Sequence, residues 1–357
     1  MTKIHNYYLN LAFQLAEKNL GKTGLNPVVG SVVVKNNAVI STGITSLKGR
    51  PHSEYNALSK IKNTNGATLY TTLEPCTHYG KTPPCTNIII KKKIKNVYFG
   101  FEDPDLRTFQ KAKKKLNEKG ISATLIKSKK YKNFYKGYFI NKKKKIPFVS
   151  AKIALSKDFL TINKKNKWIT DHLSRNIVHL LRSKHDCILS TSKSINADNS
   201  RLNCRLDGFS LYSPDLFIVD LNLRIKKNLL LNKLLRKRKT YLIVKKDNVK
   251  KTEKLKKLGY KILPINSLSN KNDFLYLFKL IYKMGYSRIF SETGSTFLYT
   301  LIKNKLINNL YTFQNNNKLG NNGKNNFATN YLKKNLIKSK IINIKNDQLF
   351  IKEFKNV

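Results

Sequence analysis

The stretch 72-TLEPCTHYGKTPPC-85 holds two of the chain's four cysteines, nine positions apart around a histidine, a lysine and a glycine. A disulfide, a pair of buried thiols and a metal site would each explain the pair, and each predicts different company elsewhere. Upstream lies 50-RPHSEYNAL-58, where His52 and Glu54 begin a predicted helix and Pro51 suits its first turn. Zinc takes imidazole nitrogen and thiolate sulfur, and a catalytic site keeps three protein ligands plus one open position. His52, Cys76 and Cys85 make that number. A carboxylate two positions from a ligand histidine can sit beside the metal without binding it and shuttle protons there, a role that fits Glu54. A lone His-x-Glu arises easily by chance; its occurrence in order with both cysteines, across a helix–strand–helix pattern, does not. A second expectation is that Cys76, behind Pro75, opens the next helix, whose dipole favours a thiolate.

Outward from this stretch, the first 140 residues alternate helix and strand. Residues 1–20 read as an amphipathic helix stopped at Gly21, and 28-VVGSVVVKNNAVISTGI-44 as a hairpin turning at Asn36-Asn37. "ATLYTTL", "NVYFGF" and "ISATLI" are strand candidates, with helices between them and Gly120 closing the one before "ISATLI". An α/β layered domain is the simplest fit. The charged stretch 141-NKKKKIP-147 reads as a linker, which places two domains at 1–146 and 147–357, as the length of 357 residues suggests. The second part repeats an α/β pattern: "FVSAKIAL", "CILST", "LFIVD", "TYLIV", "KILPI" and "SRIFSE" are short apolar strand candidates. The helix 273-DFLYLFKLIYKMG-285 ends at Gly285. Residues 315–326, "NNNKLGNNGKNN", are of low complexity and read as an exposed loop.

Composition bounds the partners. The 70 Lys and Arg against 20 Asp and Glu give a formal charge of +50, which invites a nucleic-acid reading because cations displace counterions from phosphates. Lysine is scattered through helices and tails, however, and the runs 91-KKKIK-95 and 142-KKKK-145 lack interleaved aromatics or arginines. No nucleic-acid partner is therefore expected. There is no apolar run of about 18 residues, so no membrane span is expected, and residues 1–20 lack the marks of a signal or transit peptide. A cytoplasmic location follows, where structural disulfides are rare.

His-x-Glu followed by Pro-Cys-x-x-Cys is the signature of zinc nucleobase deaminases. Here the second cysteine comes nine positions later, with "THYGKTPP" looped out between the ligands. In that spacing the chain resembles the bifunctional riboflavin-biosynthesis deaminase–reductases, which carry Pro-Cys-Ser/Thr-His-x-Gly-Lys/Arg-Thr-Pro-Pro-Cys. The stretch 25-LNPVVGSVVV-34 matches their Asn-Pro-x-Val-Gly, and 102-EDPD-105 resembles their Asp-Pro-Asn. The resemblance implies a cytidine-deaminase-like α/β/α domain followed by a dihydrofolate-reductase-like α/β domain, a phosphoribosyl-pyrimidine substrate, zinc and NADPH, and a homo-oligomer. It implies that His78 and Lys81 contact the substrate phosphate and that Asn26 helps hold the pyrimidine. Zinc on His52, Cys76 and Cys85 would acidify water, and Glu54 would move its proton to the departing ammonia. One departure is Thr45 in 41-STGITSLKG-49, where the family carries a histidine.

The matches beyond 147 are "AKIALS" (151–156), "KWIT" (167–170), "LLRSKHDCIL" (180–189), "ADNSRLNCR" (197–205) and "FSETGST" (290–296). By resemblance, Ala154, Trp168, Ser194 and Asp198 fall at NADPH-contacting positions, with the cofactor-facing turn at Gly294, Ser295 and Thr296. Asn166, Arg182, Leu202, Arg205 and Glu292 fall at substrate-contacting positions. Arg182 and Arg205 suit a phosphate, which a guanidinium binds bidentately. Trp168, the single tryptophan, reads equally well as a core aromatic. The family's Ser-Leu-Asp-Gly is here "SKDF", with Lys157 and Phe159; its Asp-Asp-Pro is Asp198-Asn199-Ser200, and Leu221 stands where it has Ser. Two alternatives stay open: a deaminase whose second domain is only structural, and a nucleic-acid-editing deaminase or RNA-binding protein.

Overall fold

The computed structural model describes residues 3–127, 130–209 and 213–354. It divides into two compact units, Met1–Lys145 and Ile146–Val357.

The first unit runs α1 (Lys3–Glu17), β1 (Gly30–Lys35), β2 (Ala38–Ile44), α2 (Ser53–Leu58), β3 (Thr68–Thr71), α3 (Cys85–Lys91), β4 (Asn96–Phe99), α4 (Lys111–Asn117), β5 (Ser122–Leu125) and α5 (Lys136–Lys144). The sheet order is β2-β1-β3-β4-β5. The β1–β2 turn falls at Asn36 and Asn37, both with positive φ (50° and 60°), the backbone a two-residue hairpin requires and asparagine tolerates. The strand period of two splits the side chains between two cores. Val33, Leu69 and Val97 join Ala57, Leu58, Ile89 and Leu116 from α2, α3 and α4. On the opposite face, Val32, Val34 and Tyr70 pack with Tyr8 and Ala12 of α1, and Leu9 and Phe13 with Tyr135 beside α5. The result is an α/β/α sandwich. The expected linker at 141–147 is mostly helix: α5 runs to Lys144, and Lys145 (φ 56°) ends it. Its lysines cluster in the last turn, where the helix dipole favours cations.

The second unit comprises β6 (Phe148–Leu155), β7 (Ile162–Asn163), α6 (His172–Ser183), β8 (Cys187–Thr191), α7 (Ser192–Asp198), β9 (Asp215–Val219), β10 (Thr240–Lys245), α8 (Glu253–Leu258), β11 (Lys261–Ile265), α9 (Lys271–Lys283), β12 (Arg288–Glu292), α10 (Ser295–Lys303), β13 (Asn309–Asn315), β14 (Gly323–Lys324), α11 (Asn330–Leu336), β15 (Lys340–Ile344) and β16 (Asp347–Glu353). Nine strands form one sheet in the order β11-β10-β9-β8-β12-β6-β13-β16-β15. From β11 to β13 the strands are parallel; β16 and β15 are antiparallel additions. Val178 of α6 and Ile195 of α7 pack on Ile188, Ile218, Leu242 and Phe290. The alternate residue Phe217 faces the other side, meeting Tyr286 edge-on at 5.1 Å just past α9. In a parallel sheet of this kind ligands collect beyond the carboxyl ends of the strands, where the strand order reverses. Here β6, β8 and β12 supply those ends.

The segment 315–326 is less open than its composition suggests. Gly323 and Lys324 pair with Asn163 and Ile162, Asn325 Oδ1 accepts the Thr161 N–H at 2.8 Å, and Asp158 accepts the N–H groups of Leu319 and Gly320. Side-chain amides and carboxylates here satisfy backbone that has no long ladder.

Candidate functional site

His52 stands just before α2 and Cys85 is the first residue of α3, behind Pro84. Cys76 lies in the loop after β3, so the helix opens with the second cysteine rather than the first. Pro84 explains the difference, because proline is favoured at a helix start and cannot sit further in. Eight intervening residues let Cys76 fold back, and its Sγ accepts the Cys85 N–H at 3.2 Å. His52 Nδ1 lies 3.6 Å from Cys76 Sγ and 3.4 Å from Cys85 Sγ, and all three donor atoms are within 4.8 Å of one another. Zinc–ligand bonds of about 2.0–2.3 Å in a tetrahedron imply donor separations of about 3.6 Å. These donors therefore suit zinc in both chemistry and spacing. Hydrogen bonding with Cys85 and then His52 pulls the Cys76 thiol down toward the thiolate a metal needs, while the same contact and burial push the Cys85 thiol up.

Glu54 is 3 % exposed, with Ser53 Oγ donating to its Oε2 at 3.0 Å. Burial raises its pKa, and the neighbouring His52 opposes the shift. A carboxyl raised in this way is a better proton acceptor than an ordinary carboxylate, as a proton shuttle requires. His78 Nδ1 is 3.1 Å from Thr108 Oγ1, and Thr77 Oγ1 donates to the Arg107 carbonyl, so the loop leans on residues 107–108. Lys81 is exposed on it. Asn26 Nδ2 donates to the Gly49 carbonyl at 3.3 Å. Thr45 is buried, and its Oγ1 accepts the Val29 N–H at 2.9 Å.

Sequence reasoning missed Glu74, inside the opening stretch itself. It is buried and accepts the N–H groups of Asp103, Gln110 and Ala112, holding the 103–112 segment against the metal loop. Its signal was a carboxylate set between Leu73 and Pro75 just beyond β3.

In the second unit, Arg182 is buried and forks onto Glu292 at 2.5 and 2.9 Å, while its Nη1 donates to the Asn203 carbonyl. Arg205 is exposed, with Nη1 on Asn203 Oδ1, and Leu202 is buried in a left-handed conformation (φ 48°). Ser194 Oγ accepts the Gly294 N–H at 3.1 Å, which joins the turns after β8 and β12. Ser295 is buried and Thr296 exposed in the first turn of α10. Gly294 gives that helix no side-chain cap, so its first N–H groups are available to an anion. That turn fits a cofactor phosphate. Ala154 lies near the carboxyl end of β6, Asp198 at the exposed end of α7, and Asn166 on the surface past β7. Trp168 is not a core aromatic: it is 52 % exposed, with the Arg175 guanidinium 4.9 Å from its ring centre. Lys152, also missed, is opposite Glu292 in the β6–β12 register. Burial lowers its pKa, while Glu292 and Asp198 oppose the shift. A lysine inside a strand pattern gives no sign in sequence of which side chains will face it.

Two family models match: the cytidine and deoxycytidylate deaminase zinc-binding region over residues 2–101, and the RibD C-terminal domain over 147–350. The riboflavin biosynthesis protein RibD of Aquifex aeolicus is 32 % identical over 317 residues, covering 87 % of this chain and 86 % of its own. The chain belongs to the RibD family. RibD of Actinobacillus pleuropneumoniae is 29 % identical over 86 % of this chain and 82 % of its own. A solved RibD structure from Acinetobacter baumannii superposes with a TM-score of 0.83 at 25 % identity, covering 98 % of this chain and 99 % of that one. A Thermotoga maritima structure of a diaminohydroxyphosphoribosylaminopyrimidine deaminase and phosphoribosylaminouracil reductase matches at the same TM-score of 0.83 and the same 25 % identity, over 98 % of each chain. As a RibD protein the chain is a bifunctional deaminase–reductase of riboflavin biosynthesis, with a zinc-binding deaminase domain and an NADPH-using reductase domain. Among the described residues no helix is long and apolar enough to cross a membrane.

Proposed function

We propose that Met1–Lys145 deaminates a diaminohydroxyphosphoribosylaminopyrimidine and that Ile146–Val357 reduces the ribosyl group of the deaminated product. The observation that carries the first half is the set of three donors at tetrahedral spacing beside one buried carboxyl. His52, Cys76 and Cys85 would hold zinc, which when bound makes water a nucleophile at neutral pH. Glu54 takes a proton from the attacking water and returns it to the leaving nitrogen. Asn26 orients the pyrimidine, and His78 and Lys81 meet the phosphate.

In the reductase, NADPH supplies the hydride. Ser194, Gly294, Ser295 and Thr296 form the cofactor-facing turn, and Ala154, Trp168 and Asp198 also meet the cofactor. Asn166, Leu202 and Arg205 line the substrate side. Glu292 holds the Arg182 guanidinium in one orientation, and Lys152 would add a donor on the neighbouring strand. We place the enzyme in the cytoplasm as a homo-oligomer acting on a small phosphorylated substrate.

Glu54→Gln tests the deaminase assignment. It is expected to keep one zinc per chain by elemental analysis and to lose deamination by at least about a hundredfold, the low end of the range for a proton-transferring group. Undiminished turnover would remove Glu54 from the chemistry.

A further inference from the structure

We propose that Arg50 binds the substrate's phosphate in the deaminase unit and sets its preference for phosphorylated over unphosphorylated pyrimidines. This rests on the deaminase reading above. Arg50 Nη1 donates to Thr82 Oγ1 at 2.5 Å. Its Nη2 lies 3.4 Å from where a Cβ on Gly80 would stand. The guanidinium thus reaches the loop on both sides of Lys81.

A guanidinium carries five N–H donors, and Thr82 uses one. Among the described residues no carboxylate pairs with Arg50, whereas Arg107 is held by Asp105 and Arg182 by Glu292. Half-buried, tethered and without a counter-ion, Arg50 is a preorganised cation lacking an anion. On its other side, Gly49 sits at φ 89° against Asn26, and a Cβ there would fall 2.3 Å from Asn26 Nδ2. Arg50 therefore stands between the pyrimidine-facing Asn26 and the loop carrying His78 and Lys81. Thr45 offers nothing in their place, since its hydroxyl is buried on the Val29 N–H. The fork of a guanidinium matches phosphate oxygens two at a time, which an ammonium does not.

The test uses full-length Arg50→Gln and Arg50→Lys, with zinc measured in each. Deamination is followed on the phosphorylated pyrimidine and on the same compound dephosphorylated at its ribose. Arg50→Gln should lower the kcat/KM ratio of the two substrates about tenfold or more, through KM, the size expected for a lost charge-assisted hydrogen bond. Arg50→Lys should lower it less. An unchanged ratio in either zinc-retaining variant overturns the assignment, as does an equal loss on both substrates, which would mark Arg50 as a loop brace. Wild-type enzyme that deaminates neither compound would instead sink the deaminase reading itself.

Discussion

Phe159 shows how one residue stores strain. It occupies a left-handed conformation (φ 62°) at the position where the family motif carries glycine, and its ring lies 5.2 Å under the Lys333 ammonium. Left-handed backbone costs a side-chain-bearing residue about 1 kcal/mol more than glycine. Phe159→Gly should therefore be more stable than Phe159→Ala by about that amount in urea denaturation; equal midpoints would deny the strain. His185 is a second case. Burial pushes its imidazole down to about 3, with Nδ1 on the Leu181 carbonyl and Nε2 on Ser150 Oγ. The unfolded chain takes up a proton near pH 6.5 that the folded chain refuses. Stability is therefore complete above pH 6.5 and is lost as the pH falls toward 3, by at most about 1.4 kcal/mol per pH unit for this proton. His179, lowered to about 4 mainly by burial, adds in the same direction. Unfolding read by Trp168 emission, the chain's only tryptophan, should show a shallower pH dependence between 7 and 5 in His185→Gln than in wild type. The metal ligands were readable in sequence because zinc constrains residue type and order together. Arg50 and Lys152 were not, because their meaning lies in neighbours distant along the chain.

At the scale of elements, the deaminase site is built from two loops braced against each other. Glu74, in the loop after β3, gathers three backbone N–H groups from residues 103–112, a segment that runs from beyond β4 into α4, and His78 meets Thr108 on that segment. Glu74→Ala would leave those donors unpaired, at about 1–3 kcal/mol at most for each of the two buried ones, on Asp103 and Ala112. It should lower the melting temperature and raise the deaminase KM, while NADPH quenching of Trp168 stays unchanged. Wild-type stability would show the brace to be dispensable. Regular elements were legible where local chemistry specifies them: the Asn36-Asn37 turn, and α9, which starts with reciprocal caps between Asn270 and Asp273 and stops just before Gly285. The strands β13 to β16 were missed, since their side-chain pattern acquires meaning only once the sheet exists. The start of α3 was misplaced because Pro75 and Pro84 both look like helix openers; Pro84 decides, since a helix opened at Cys76 would carry it in its interior.

For the whole molecule, a formal charge of +50 surrounds sites that take anionic ligands. Such a field speeds the capture of phosphorylated substrate and is screened by salt. kcat/KM for both activities should fall as ionic strength rises, with kcat nearly constant; salt-independent kcat/KM would assign the lysines to solvation alone. The most direct test of the two-site account supplies the diaminopyrimidine phosphoribosyl compound with and without NADPH and identifies the products. Wild type should release ammonia and the ribosyl product without NADPH, and the ribityl product with it. Glu54→Gln should yield neither, yet still reduce the deaminated intermediate when given it directly. Reduction of the diamino compound by Glu54→Gln, or failure of wild type to oxidise NADPH with the deaminated intermediate, would contradict the account.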